Sequence, residues 1–420
     1  MWSLRDFKLL STITGGHKRS VRSVAWKDYG SNTAAAVPGK KPVTLATGSF
    51  DANVGIWVHN DQQGSRAYDV DMDELDVGKR DSEEEEWSFS TLLTGPDSEI
   101  KSVKFSPPHY GTNLLATSSR DKSVWVWEEV EEDEWETIAV LNEHAGDVKC
   151  VEWCAGGRKR RRLGNDEEGD VMGGRELLAS GGYDDTIRLW KDVEEEGDWV
   201  CVGVIEGHGG TVWDLSWERM INDAFVGEEE MEDWEPRIAS CSDDLTIRIW
   251  KRELSEREKE KKRQGRSTSG PRLPSIIRPA SNLETWVEDA RLPEAHLRSV
   301  YAVDWSASTG LIVSGGGDGT IAVYKELSDE TSEKQDVVMN GTSEHGDEQK
   351  SASDRKQTKW VIAAMLEAAH DEYEINHVCW AERRDKGRNF EGEEVIVSTG
   401  DDGDVRIWTL PDEVVAGLRR

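Results

Sequence analysis

Histidine and aspartate recur along this chain in an order that invites a chemical reading. His17, His144, His208, His296 and His370 are each followed by one of Asp51, Asp184, Asp244, Asp318 and Asp402. A His held by an Asp is the general-base half of a hydrolase triad, poised to take the proton of a nucleophile. One active site needs one such pair, however, and no nucleophile is evident at a matching position beside the five. A sixth aspartate, Asp121, has Pro96 where its histidine would stand. The pairs, among them His144 with Asp184 and His208 with Asp244, are therefore expected to be structural hydrogen bonds that pin turns. Cys150 and Cys154 form a Cys-x3-Cys pair, but no second pair stands at metal-ligand spacing and the segment reads as a core strand. The glycine-rich "SGGGDG" at Ser314–Gly319 reads as a turn, since no helix opens after it to complete a phosphate cradle. No catalytic residue, metal site or cofactor site is expected.

The aspartates must be positioned by something that repeats. Each stands six residues ahead of an aromatic in an octet: "FDANVGIW" (Phe50 to Trp57), "RDKSVWVW" (Arg120 to Trp127), "YDDTIRLW" (Tyr183 to Trp190), "DDLTIRIW" (Asp243 to Trp250), "GDGTIAVY" (Gly317 to Tyr324) and "DDGDVRIW" (Asp401 to Trp408). Around each octet lie four short runs rich in Val, Ile, Leu and Trp, separated by Gly, Asp and Ser, which is the strand-and-turn signature. Tryptophan usage supports an architectural reading. Fifteen of the 19 fall at three repeat positions: opening first strands (Trp87, Trp135, Trp199, Trp286, Trp360), closing second strands (Trp26, Trp153, Trp217, Trp305, Trp380) and closing fourth strands (Trp57, Trp127, Trp190, Trp250, Trp408). Four antiparallel strands per repeat predict an all-β fold, a β-propeller in which each blade buries its faces against its neighbours. Six blades are visible, at about residues 7–58, 87–128, 135–191, 199–251, 286–325 and 360–409 of a single domain spanning 1–420. Successive octet aspartates are 70, 63, 60, 74 and 84 residues apart, more than the roughly 40–45 a blade of this type needs. The surplus reads as disordered insertions at about 60–86, 156–174, 222–235, 252–283 and 328–358, polar segments that cannot bury enough apolar surface to offset the entropy of ordering.

Charge narrows the partners. Lys and Arg total 52 against 84 Asp and Glu, a net charge of −32, which disfavours broad nucleic-acid surfaces and anionic membranes. The tract "RKRRR" at Arg158–Arg162 resembles a basic import or nucleic-acid patch, with a solvated loop as the plainer reading. No apolar run is long enough to cross a bilayer and no signal segment follows Met1. Five cysteines, an odd number mostly inside apolar strand patterns, suit reduced thiols. The expected location is the cytoplasm, with the nucleus as a second compartment.

The octets and upstream histidines resemble those of the WD-repeat propellers. A closer resemblance lies in "LLATSSRDKSVWVWEEVEEDEWETIAVLNEHAGDVKCVEW", "GGYDDTIRLW", "EGHGGTVWDLSW" and "IASCSDDLTIRIW". With "GGHKRSVRSVAW" and "LATGSFDANVGIW" they are similar to the family of WD-repeat subunits of the cytosolic iron-sulfur protein assembly (targeting) complex. That resemblance implies seven blades, so the first is expected to be missing, with Met1, Trp2 and Ser3 resembling the end of a lost strand; closure of six blades is the alternative. It also implies a non-enzymatic adaptor whose partners are the other subunits of that complex and client apoproteins, some presenting a C-terminal tail that ends in an aromatic. A generic WD-repeat scaffold, such as a chromatin or ubiquitin-ligase recognition subunit, is the competing reading.

On a propeller the repeat places two sets of residues on the top face. One follows the first apolar residue of each second strand: Arg22, Lys101, Lys149, Trp213, Tyr301 and Asn376. The other precedes each octet aspartate: Phe50, Arg120, Tyr183, Asp243, Gly317 and Asp401. Arg22, Lys101, Arg120 and Lys149, interleaved with Phe50 and Tyr183, form an expected basic and aromatic patch, which Trp213 and Tyr301 extend. Such a patch suits an acidic segment or a terminal carboxylate beside an aromatic, because Arg grips carboxylates bidentately and rings stack.

Overall fold

Short β-branched and aromatic runs bounded by Gly, Asp and Ser form strands and tight turns throughout the computed structural model. It describes residues 3–27, 43–59, 87–131, 134–155, 157–163, 167–173, 175–193, 198–219, 235–254, 283–327, 359–390, 392–411 and 413–414. Of the expected insertions, 60–86, 328–358 and nearly all of 222–235 and 252–283 lie outside these residues, as do Met1 and Trp2. The described chain is all-β, with a single 3-10 turn at Pro108–Tyr110 among its strands. It is a six-blade β-propeller arrangement and falls into two compact units, Met1–Glu176 with Asp192–Val200, and Leu177–Lys191 with Cys201–Arg420.

In the first unit, one antiparallel sheet runs in chain order through β1 (Val21–Trp26), β2 (Val43–Ser49), β3 (Asn53–His59) and β4 (Trp87–Thr94). The next runs through β5 (Ile100–Phe105), β6 (Leu114–Ser119), β7 (Val124–Glu131) and β8 (Glu134–Leu141). Strand β9 (Val148–Trp153) follows, with buried Val148, Val151 and Trp153. Residues 156–174, expected as an unstructured insertion, instead contain a two-stranded hairpin of β10 (Gly157–Leu163) and β11 (Glu167–Gly173), so "RKRRR" lies on a strand. The register sets Arg160 opposite Asp170 and Arg162 opposite Glu168.

The second unit begins with β12 (Leu178–Gly182) paired to β13 (Ile187–Asp192), and β14 (Trp199–Ile205) runs into it. One sheet follows from β15 (Val212–Trp217), β16 (Ile238–Ser242), β17 (Ile247–Glu253) and β18 (Thr285–Arg291). Another is built from β19 (Val300–Trp305), β20 (Ile312–Gly316), β21 (Ile321–Leu327) and β22 (Lys359–Leu366). The last has three strands, β23 (Ile375–Glu382), β24 (Glu394–Gly400) and β25 (Val405–Trp408).

Alternation within the first strand of each sheet supplies the core between blades. Ile100 and Val103 of β5 are fully buried against Ala25, Ala46, Val54 and Ile56 of the preceding sheet. In the second unit, Val300 and Val303 pack likewise on Ala239, Ile247 and Ile249. The corresponding residues of β1 are half-exposed: Val21 at 50%, Val24 at 56% and Trp26 at 52%. Backbone amides also reach across blades to side-chain acceptors, Val103 N to Ser23 Oγ (3.1 Å), Val303 N to Asp214 Oδ2 (3.2 Å) and Trp380 N to Asp304 Oδ2 (2.8 Å).

The strand-closing and strand-opening tryptophans meet edge to face. Trp26 and Trp87, Trp153 and Trp199, Trp217 and Trp286, and Trp305 and Trp360 have ring centroids 5.7, 5.8, 5.9 and 5.8 Å apart. Phe105 takes the place of the first tryptophan against Trp135. Such T-shaped pairs add about 0.5–1.5 kcal/mol beyond burial.

Candidate functional site

The His and Asp recurrences come together where both partners lie in one unit. His208 Nδ1 is 2.9 Å from Asp244, and its Nε2 is 2.7 Å from Ser240 Oγ, which accepts the indole N–H of Trp250 at 2.7 Å. The same chain of contacts links Asp402, His370, Ser398 and Trp408. Asp51, His17, Thr47 and Trp57 form it in the first unit. In the fifth repeat Asp318, His296 and Ser314 keep the contacts, while buried Tyr324 stands in the tryptophan position, its phenol pushed up to about 12 by burial. Trp190 donates to Ser180 at 2.8 Å, and Asp184 accepts from Thr186. His144 is buried.

A hydroxyl therefore does repeat beside the histidines, contrary to the sequence expectation, and in the order Asp, His, Ser that a hydrolase would use. Its signal was legible: Thr47, Thr117, Ser180, Ser240, Ser314 and Ser398 each stand four residues before an octet aspartate. A carboxylate only accepts, so Nδ1 donates to the aspartate, Nε2 of the neutral ring accepts the hydroxyl proton, and the hydroxyl oxygen accepts the indole N–H. Where a tryptophan closes the relay, as in the chain from Asp244 to Trp250, each of these polar groups has a partner, whereas the buried Tyr324 hydroxyl has none among the described residues. Ser240, Ser314 and Ser398 are fully buried, which keeps an incoming carbonyl from reaching them.

The relay fixes its carboxylates in the charged form. Burial opposes ionisation of Asp244, but hydrogen bonds from His208, Thr246 and the Gly209 amide outweigh it and hold the carboxyl well below its usual range. For Asp318 burial again opposes, and His296 with the Leu297 amide lowers the carboxyl to about 2. In the blade with Pro96, Asp121 instead accepts the Asp97 amide at 2.7 Å and the Ser123 amide at 2.9 Å.

The two rim sets are placed by distinct backbone devices. Register shifts fall between Val21 and Ser23, Ile100 and Ser102, Val212 and Asp214, Val300 and Ala302, and Ile375 and His377. The skipped residues are Arg22, Lys101, Trp213, Tyr301 and Asn376, so each of these candidates is the extra residue of a β-bulge, a device that re-aims a side chain. The second set sits at the facing turn, where the amides of Phe50, Arg120, Asp243, Gly317 and Asp401 donate to Ser20, Glu99, Thr211, Ser299 and Glu374 carbonyls. Bulge and turn residues thus form one pair per blade.

In the first unit these pairs gather a basic cluster. The Lys101 ammonium lies 4.4 Å from the centroid of the Phe50 ring and 2.6 Å from Glu99, and Arg120 approaches the same Glu99 at 3.3 Å. Arg120 Nε also lies 3.9 Å from Asp147, which pairs with Lys149 at 3.4 Å, and Arg19 comes within 3.9 Å of Glu99. Glu99 and Asp147 were missed by the sequence reading; each stands just before a strand and two residues ahead of a predicted lysine, whose ammonium reaches it. Lys101 beside Glu99 holds that carboxyl below its ordinary range. The lysines are mostly covered, whereas the Arg120 side chain is 57% exposed. Arg22 is exposed on β1.

In the second unit the pairs gather aromatics and acids. The Trp213 indole donates to Asp243 at 2.6 Å and meets Tyr301 edge to face, 5.1 Å between centroids. Asn376 donates to Asp401 at 2.6 Å. Tyr183 is 65% exposed. The residues expected as one patch thus fall into a basic cluster around Phe50 in the first unit and an acidic aromatic cluster around Trp213 in the second. Among the described residues no group of His, Cys, Asp and Glu could hold a metal ion, and no helix is long and apolar enough to cross a membrane.

Repeats with a buried Asp, His, Ser and Trp relay under a variable rim define a WD-repeat β-propeller. The family model for the WD domain, G-beta repeat, matches residues 7–58, 87–128, 135–191, 199–251 and 290–325. A Chaetomium globosum protein named probable cytosolic iron-sulfur protein assembly protein 1 is 41% identical over 431 residues, covering 98% of this chain and 87% of that protein. Proteins of the same name from Aspergillus flavus and Neurospora crassa are 44% and 38% identical, again over 98% of this chain and 89% and 88% of theirs. The chain belongs to the cytosolic iron-sulfur protein assembly protein 1 family of WD-repeat proteins. Those names carry no nuclear term.

Proposed function

We propose that this protein is a non-enzymatic adaptor of cytosolic iron-sulfur protein assembly, which recruits and positions client apoproteins alongside the other subunits of a targeting complex. Family membership supports the pathway. The observation that carries the recruiting role is the cluster of Phe50, Lys101 and Arg120 around Glu99, with Lys149 and Asp147 adjoining. Lys101 stands over the Phe50 ring, and Arg120 and Lys149 gather at the adjoining Glu99 and Asp147, on a chain of net charge −32 where solubility alone does not call for them. A tail that ends in an aromatic residue offers a carboxylate for Arg120 and a ring for Phe50. Arg22, Tyr183, Trp213 and Tyr301 complete the proposed partner surface. The buried relay residues His144, Asp184, His208, Asp244, Trp190 and Trp250 act structurally.

The test is Arg120→Glu. Co-purification of client apoproteins should fall while the urea midpoint moves by less than the equivalent of about 0.5 kcal/mol, as expected of a surface change. A large loss of stability with clients still bound would overturn the assignment. The identity of what co-purifies with the unaltered chain also separates this reading from a general scaffold for chromatin or ubiquitin-ligase substrates.

A further inference from the structure

The acidic aromatic part of the rim is not explained by recruitment of a carboxylate tail. Trp213 and Tyr301 meet at 82°, forming a corner between two blades of the second unit. Neither ring is fully buried. Gly317 faces Tyr301 in its own blade, and a Cβ there would lie 3.2 Å from the tyrosine ring. Every other octet carries a side chain at that position, and its absence here lets the Tyr301 ring lie close against the turn backbone.

Carboxylates surround this corner. Asp243 spends Oδ1 on the Trp213 indole, and its Oδ2 has no hydrogen-bond partner among the described residues. Glu374 lies beside the Tyr301 hydroxyl, and Asp401 stands in the next blade, held by Asn376. Burial together with Asp184 and Asp243 raises the Asp185 carboxyl, and burial with Glu374 and Asp243 raises the Tyr301 phenol. In both cases neighbouring carboxylates add to the larger effect of burial. Arg298 stands close by, 3.8 Å from Glu374 and donating to the Gly317 carbonyl at 3.4 Å, with a side chain 68% exposed.

We propose that the corner formed by Trp213 and Tyr301, with Asp243 and Glu374 at its edge, binds an arginine side chain of a partner protein. Aromatic faces attract cations through the ring quadrupole. A guanidinium suits the corner better than an ammonium, because its plane stacks on a ring while its forked N–H groups reach carboxylate oxygens. The site differs in sign from the cluster around Phe50, so the two surfaces select opposite chemistries.

The experiment uses the whole chain labelled with 5-fluorotryptophan, the Trp213 resonance being assigned by its loss in Trp213→Phe. The probe is the peptide acetyl-Gly-Arg-Gly-amide, compared with the same peptide carrying neutral citrulline. The arginine peptide should move the Trp213 resonance saturably and the citrulline peptide should not. Asp243→Asn keeps an acceptor for the indole, and Glu374→Gln keeps the shape; each should weaken the arginine peptide about three- to tenfold. Urea midpoints of both variants verify that the fold persists. Equal shifts from the two peptides, no saturable shift, or affinity unchanged in both variants would overturn the proposal. Because Arg120 and Phe50 take no part, failure here leaves the adaptor reading untouched.

Discussion

Asp243 and Asp244 are neighbours in sequence and belong to different regions of the molecule. Asp244 joins the buried relay through His208, Ser240 and Trp250, whereas Asp243 stands on the rim and touches Trp213. Arg120 and Asp121 divide in the same way, the arginine outward to Glu99 and the aspartate inward to backbone amides. The relay layer keeps its chemistry in the blades of His17, His208 and His370 and departs from it only at Pro96 and Tyr324 among the described contacts, while the rim runs through Phe, Arg, Tyr, Asp, Gly and Asp. A one-residue step separates what holds a blade together from what distinguishes it. Within the rim, the first unit gathers cations at Glu99 and Asp147 with Lys101 over a phenylalanine, and the second gathers carboxylates around a tryptophan and a tyrosine.

The sharpest way to break this division is to alter the two neighbours separately. Asp244→Ala orphans His208, the Gly209 amide and the Thr246 amide at once, and should cost about 3 kcal/mol of stability. Asp243→Asn should stay within about 0.5 kcal/mol. Urea denaturation of the two variants measures both, and equal losses would mean that rim and relay are not distinct layers.

Acid should erode the relay. Asp318 is held at about 2 in the folded chain, against about 3.9 unfolded. A depressed folded pKa contributes stability that is complete above the unfolded value and is lost as pH falls through the folded one. About 2 kcal/mol should therefore disappear between roughly pH 4 and 2. Asp318→Asn should remove that part of the pH dependence, and an unchanged acid profile would contradict the relay geometry.

The smallest effect lies in the octet turns. The residue after each relay aspartate has positive φ: Ala52 at 68°, Lys122 at 76°, Asp185 at 62° and Leu245 at 67°, with Gly319 and Gly403 in the last two blades. Leu245 is 41% exposed, so it gives up little burial. Leu245→Gly relieves the left-handed strain and should raise stability by about 0.5 kcal/mol, the strain relief being partly offset by glycine's chain entropy. A loss in thermal midpoint would show that the leucine packs more than it strains.

How much of this was legible follows from where each signal resides. The octets disclosed the blades because strand-forming residues, turn residues and aromatics all repeat locally. The bulges were visible only as a list of odd residues, Arg22, Lys101, Trp213, Tyr301 and Asn376; that each is the extra residue of a register shift depends on pairing with a strand further along. Glu99 and Asp147 escaped because their importance arises from Arg120, brought to them by the fold. The relay hydroxyl was overlooked although its spacing is regular, since Ser and Thr are common before turns and carry little weight singly. The tract at Arg158–Arg162 shows the opposite limit: its composition spoke for a loop, and pairing with β11 made it a strand.

The central claim is that the rim of the first unit recognises a carboxylate beside an aromatic ring. Its most direct test is the fluorescence anisotropy of a labelled peptide ending in Asp-Trp, titrated with the whole chain as the free acid and as the C-terminal amide. The free acid should bind more tightly, and Arg120→Glu should abolish that preference while leaving the urea midpoint in place. Equal affinity for acid and amide, or a preference that survives Arg120→Glu, would contradict the account.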